Sequence, residues 1–188
     1  MANKQKNQLN IYKEFWKLAH VADDIAKTGR YDVDMLISAW EHLLNQTLYF
    51  YKNLVNKTGN PDVTYYALKN EPAEHQLVYC QLGRGYSKEL YDPHWCYLYK
   101  HCGAKLFIIP VTSIKPTTSP NHHKYEFDIE ENDGKMARMH FDDIRCIDKM
   151  RVAKDYYIDV KTTRTDIEKA MANFLCFSLK DVDKEEKE

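Results

Sequence analysis

From Leu9 to Gly29 apolar side chains recur at intervals of three and four: Ile11, Tyr12, Phe15, Trp16, Ala19, Ala22, Ile25 and Ala26. That spacing lays one wide stripe along a helix, and Gly29 supplies its stop. A second stripe follows, through Met35, Leu36, Ala39, Trp40, Leu43, Leu44, Leu48 and Tyr51, with Asp32 placed to cap it and Gly59-Asn60-Pro61 to end it. The two predict a helical hairpin. Two amphipathic helices cannot bury both stripes against each other, so the hairpin is expected to pack on the rest of the chain or on a second copy.

From about residue 76 the period falls from helical to strand-like. HQLVYCQLGRG, HWCYLYKHCGAKLFIIPVTS, HKYEFDIEENDGKMARMHF and IRCIDKMRV are short aliphatic and aromatic runs separated by Gly, Pro, Asn and Asp. They predict a small antiparallel barrel or sandwich. Lys100–Ala104 is expected to be a tight hairpin, and Asp133-Gly134 to form a primed turn. In TDIEKAMANFLCFSL, Thr165 and Glu168 have capping-box spacing, and Ile167, Ala170, Met171, Phe174 and Leu175 form one face, which predicts a last helix. The fold class expected is therefore α+β, a helical hairpin over residues 1–70, a β domain over 76–179, and a charged tail at 180–188. The polar start MANKQKNQ and that tail are expected to be disordered.

Composition narrows the class. The chain has 188 residues, is 44% hydrophobic and 29% charged, and carries a formal net charge of -1, which gives it no global field for polyanions. It contains no run of about 18 apolar residues and no apolar signal core, so a cytoplasmic location is expected and membrane insertion is not. Five scattered cysteines without a CxxC pair are expected to be reduced. Locally the balance differs. Between Gln76 and Tyr125 stand six basic residues (Arg84, Lys88, Lys100, Lys105, Lys115, Lys124) against two acids (Glu89, Asp92), interleaved with Tyr86, Tyr91, Trp95, Tyr97 and Tyr99. Basic and aromatic residues together on a small barrel suit single-stranded nucleic acid, and equally describe a solvated face over ordinary core aromatics.

The stretch YDPHWCYLYKHCGAKLFIIPVTS at 91–113 gathers His94, Cys96, His101 and Cys102. A strand of seven residues spans about 20 Å, so His94 and His101 cannot share a metal without a further segment between them, and no metal site is expected. Cys96 lies among Trp95, Tyr97 and Leu98, with nothing to lower its pKa towards a nucleophile. Gly83-Arg84-Gly85 is too short for a phosphate loop and does not precede a helix.

Read in order, several of these residues resemble the PemK/MazF family of toxin endoribonucleases. The family has a glycine and an acid in its first loop, here Gly85 and Glu89, and a basic residue heading an apolar strand, here His94 in place of the usual arginine. It then has a strand ending in a P-x-T-S-like motif, here LFIIPVTS to Thr112 and Ser113, and a DQIRTIDKxRL-like segment, here FDDIRCIDKMRV at 141–152. The resemblance covers about residues 76–179. It implies an SH3-like barrel, usually dimeric, that cleaves single-stranded RNA without a metal or cofactor by 2'-hydroxyl attack, leaving a 2',3'-cyclic phosphate. It places His94 and Thr112 at the scissile phosphate. Arg84, Lys88, Ser113, Lys115, His122 and His123 would then contact RNA, with Glu89 and Arg145 in support. Asp143 stands where the family has glutamine, an acid that must pair with Arg145 or Lys149 to tolerate phosphate. An antitoxin protein is a candidate partner, and the hairpin, an addition to the minimal family unit, would assemble or regulate. The second reading is a barrel that has lost catalysis with its arginine and binds RNA or a protein. Histidine exchanges protons near neutral pH but lacks the arginine fork, which is why both readings stand.

Overall fold

The computed structural model describes residues 3–86, 88–122 and 124–176. The chain divides into two units, residues 1–45 and 46–188. In the first unit, helix α1 (Asn3–Lys27) begins inside the polar start that was expected to be disordered. It ends where the Gly29 N–H donates to Ala26 O at 3.0 Å, with Gly29 at φ +62, a left-handed position that costs glycine nothing. Asp32 Oδ1 accepts from Met35 N–H at 3.0 Å and caps helix α2 (Val33–Tyr49), as its place in the sequence suggests. The pair packs loosely: of its described apolar side chains, only Ala22 and Leu36 are buried. The helical path continues in the second unit through a π-helical turn, Phe50–Val55, and a single turn α3 (Asn56–Thr58), and stops at Gly59, φ +75.

The second unit is built on strands β1 (Gln76–Gln81), β2 (Pro93–Cys102), β3 (Lys105–Ser113), β4 (Glu126–Glu130), β5 (Met136–His140), β6 (Arg145–Asp148) and β7 (Ile158–Asp159), followed by helix α4 (Arg164–Phe174). The strands lie in the order β4-β5-β3-β2-β1-β7, and β6 also pairs with β3. The pairings between these strands are antiparallel. The sheet curls until its two outer strands nearly meet: Glu131, just past β4, bridges Val160, just past β7, and the Lys161 N–H donates to Glu130 O at 2.8 Å. The fold is α+β, a curled antiparallel sheet with helices before and after it in the chain. No helix among the described residues is long and apolar enough to cross a membrane.

Alternation along the strands splits the core between the two faces of the sheet. One cluster holds Leu77, Tyr97, Ile109, Val111, Ile129, Ala137 and Met139, with Ile167 and Met171 of α4 packed on it. The other holds Val78, Cys80, Cys96, Leu98, Leu106, Ile108 and Ile147. All five cysteines are free, and burial pushes the Cys96 thiol well up, which keeps it an inert apolar filler.

Two local expectations need correction. The hairpin at Gly103-Ala104 is a two-residue connection as expected, with Gly103 at φ +64 in the first position. The β4–β5 connection is not a primed two-residue turn. The Gly134 N–H donates to Glu131 O at 2.9 Å and Gly134 alone takes positive φ (+84), so the loop has three residues, Asn132 to Gly134, of the bulge-forming kind. At α4 the cap is Thr163, not Thr165: its hydroxyl accepts from Asp166 N–H, and this earlier start still turns Ile167 and Met171 into the core. A clasp holds the approach to the sheet, where Glu74 accepts from His101 N–H at 2.9 Å and pairs with Arg164 at 2.9 Å, whose guanidinium lies over Tyr99.

Candidate functional site

Strand β3 lies between β2 and β5, and along its other partners β6 gives way to β5 around Pro110: β6 pairs with it as far as Ile108 and β5 from Val111. Up to the Cys96–Pro110 pair it runs against β2; from Val111 it pairs with β5, setting Thr112 opposite Arg138. The three-residue loop then fixes Asp128 opposite Arg138 and Glu126 opposite His140. Because Val111, Ala137, Met139, Phe127 and Ile129 turn to the first core cluster, the alternate positions Thr112, Arg138, His140, Glu126 and Asp128 share the other face. Five polar side chains are thereby placed side by side by register alone.

Their contacts form a chain. Thr112 Oγ1 lies 2.9 Å from His140 Nε2, and His140 Nδ1 lies 3.8 Å from Glu126 Oε1. The second distance is too long for a hydrogen bond, so Glu126 acts on the imidazole through its charge. That charge favours the proton on Nδ1, leaving the Nε2 lone pair to accept from the Thr112 hydroxyl. Burial holds the His140 pKa below its ordinary value, and the carboxylates of Glu126, Asp142 and Asp143 only partly offset this, so the ring is neutral at pH 7. Glu126 is itself fixed by accepting from His122 N–H at 2.6 Å. Arg138, just 6% exposed, clamps the group: it donates to both Asp128 oxygens at 2.7 and 3.2 Å and to Ser119 O at 2.8 Å, and lies 3.6 Å from Glu126.

His94, at the head of β2, pairs with Cys80 and shares a face with Cys96 and Leu98, hence with Thr112 one strand over. Among the described residues no hydrogen bond joins it to Thr112. Its Nδ1 is buried without a partner. An orphan N–H buried there would cost about 1–3 kcal/mol, which favours the tautomer with its proton on Nε2.

The first loop leads into His94. Arg84 makes a double hydrogen bond to Asp92, at 2.9 and 2.8 Å, and lies 4.9 Å from the Tyr91 ring centre, nearly out of solvent. A side-chain carbon at Gly85 would collide with the Glu89 carboxylate, whose oxygen accepts from Tyr86 N–H at 3.3 Å, so glycine and acid are coupled sterically. Arg145 pairs with Asp143 at 2.7 Å, and Asp143 also accepts from Leu90 N–H at 3.0 Å, tying the loop to the segment before β6. The Asp143 carboxylate is thus paired with Arg145, while Lys149 is committed to Glu71 at 2.8 Å. Lys88, Ser113, Lys115 and His122 are exposed, His122 stacked on Tyr125 at 4.3 Å between ring centres. His123 lies outside the described residues, as does the tail at 180–188.

The structure therefore brings Thr112 together with three residues that sequence reasoning passed over: His140, Glu126 and Arg138. Their signal is the alternation in EFDIE and MARMH, polar residues two apart on each side of one turn. Among the described residues no group of three or more His, Cys, Asp or Glu side chains is placed to hold a metal ion. In comparisons with known proteins, no family model matches the chain and no curated protein matches it.

Proposed function

We propose that the sheet unit is a PemK/MazF-like endoribonuclease, cleaving single-stranded RNA by 2'-hydroxyl attack to leave a 2',3'-cyclic phosphate. The observation that carries this reading is the 2.9 Å contact between the Thr112 hydroxyl and a neutral His140, at the end of the strand where the motif order puts the scissile phosphate. In this reading His140 Nε2 accepts the 2'-hydroxyl proton as the 2'-oxygen bonds to phosphorus and the bond to the 5'-oxygen breaks. Thr112 then turns its hydroxyl to a phosphate oxygen. His94 donates its Nε2–H to the same group in place of the arginine. The 5'-oxygen takes its proton from solvent. Exposed Lys88, Ser113, Lys115 and His122 hold the strand on either side.

The test is incubation of the chain with mixed-sequence single-stranded RNA in EDTA, with the ends mapped. Cleavage leaving cyclic phosphates, reduced about 10²- to 10⁴-fold in Thr112→Val and His140→Asn, supports the reading. The rate should fall as pH drops through the depressed His140 pKa. RNA left uncut by the wild-type chain sinks it. A second reading, a non-catalytic barrel that binds RNA or a protein, is favoured by one observation: Arg84, Arg138 and Arg145 are each engaged by a carboxylate. Binding of the RNA without cutting would select it.

A further inference from the structure

The helices α1 and α2 of the first unit stand apart enough to leave a groove of about 350 Å³ between them, lined by Phe15, Leu18 and Ala19 on one side and Ile37, Trp40 and Leu44 on the other. Ile11, Phe15 and Leu18 extend the apolar surface along α1. Beside the groove Tyr12 and Trp16 project, 76% and 68% exposed. We infer that this face is the interface between two copies of the chain, which pair their helices into a four-helix bundle; the inference does not depend on the reaction proposed above.

Three observations fix the occupant as a second copy. With two buried apolar side chains, the pair lacks a core of its own, and a second pair of helices is the smallest addition that supplies one. Tyr12, Phe15, Trp16 and Leu44 are each more than half exposed, and together with the other groove walls they offer a surface of the order of the roughly 800 Å² that each partner contributes to a stable interface. The face is also self-complementary, carrying both an open groove and large projecting aromatics within a few turns of each other, which a two-fold interface requires of a single surface.

The experiment is mass measurement by light scattering and sedimentation on the full chain over a concentration series. The wild type is expected to be a dimer at micromolar concentration, and Phe15→Glu with Leu44→Glu a monomer that keeps the thermal transition of the sheet unit. A wild type still monomeric at ~100 µM overturns the inference. A dimer that survives the double substitution also overturns it, by placing the interface elsewhere. If the charged variant unfolds, Tyr12→Ser with Trp16→Ser decides, because side chains so exposed contribute little within one copy. That variant should weaken association at least about tenfold with helicity unchanged, and an unaltered dissociation constant counts against the inference.

Discussion

Tyr97 and Ile109 in the sheet unit have no exposed surface, whereas Ile11 and Phe15 in the helical unit, of similar size and apolarity, each remain 52% exposed. Strands β2 and β3 have a core cluster on both faces, so each residue meets neighbours whichever way it points. A helix turns only one stripe towards a partner, and α1 and α2 leave a groove where that partner would sit. The apolar pattern names the face to be covered in both units. It specifies the cover only where the chain itself provides a second layer.

Substitutions in the two units should separate them sharply. Ile109→Ala removes packing on every side and should cost about 3–4 kcal/mol in urea unfolding of the sheet unit, while Leu18→Ala, measured on the dilute chain, should cost less than about 1. Equal losses would erase the distinction. Within the sheet unit, Arg138→Ala strands Asp128 and Glu126 and should cost about 2 kcal/mol, less than a dry ion pair would because Asp128 is partly open to water. Next comes the cap of α4: Thr163→Ala should lose about 1 kcal/mol and Thr165→Ala no more than about 0.5, a reversal of what capping-box spacing alone suggests.

Acidification should have the mildest effect. Burial depresses the pKa of both His140 and His75, so the folded chain binds fewer protons than the unfolded one. The stability this provides is complete above about pH 6.5, the unfolded value, and is lost as pH falls through it towards the folded values. A midpoint of thermal unfolding that falls between pH 7 and 5.5, and falls less in His140→Asn, is the expected result. A midpoint unchanged by acid would show that neither ring is held neutral by burial.

Most of the architecture is legible because it follows periodicity. The change from three-and-four spacing to alternation near residue 76 and the glycines at 29, 59 and 103 each locate a boundary the structure keeps. The site is less legible because it depends on register. A two-residue turn at Asp133-Gly134 would set Glu126 opposite Phe141; the actual three-residue loop sets it opposite His140, and one residue of slip is the difference between a polar cluster and a mismatch. Thr112 could be picked out as the end of a strand, but its partner could not, since no spacing tells that β5 follows β6 as the neighbour of β3 from Val111. The apolar run after His94 marks the start of a strand; that its Nδ1 is buried and unbonded depends on packing that no spacing reveals.

The Glu131–Val160 bridge has a bearing on how copies of the chain meet. A sheet left open would present β4 and the two-residue β7 as free rims, each a row of backbone donors and acceptors ready to recruit a strand from another molecule. Fastening one end of each rim to the other spends the hydrogen bonds of that end within one chain. Association by strand addition, the route to open-ended polymers, is thereby discouraged, and encounters between copies are left to side chains, where shape and charge can limit them to a pair.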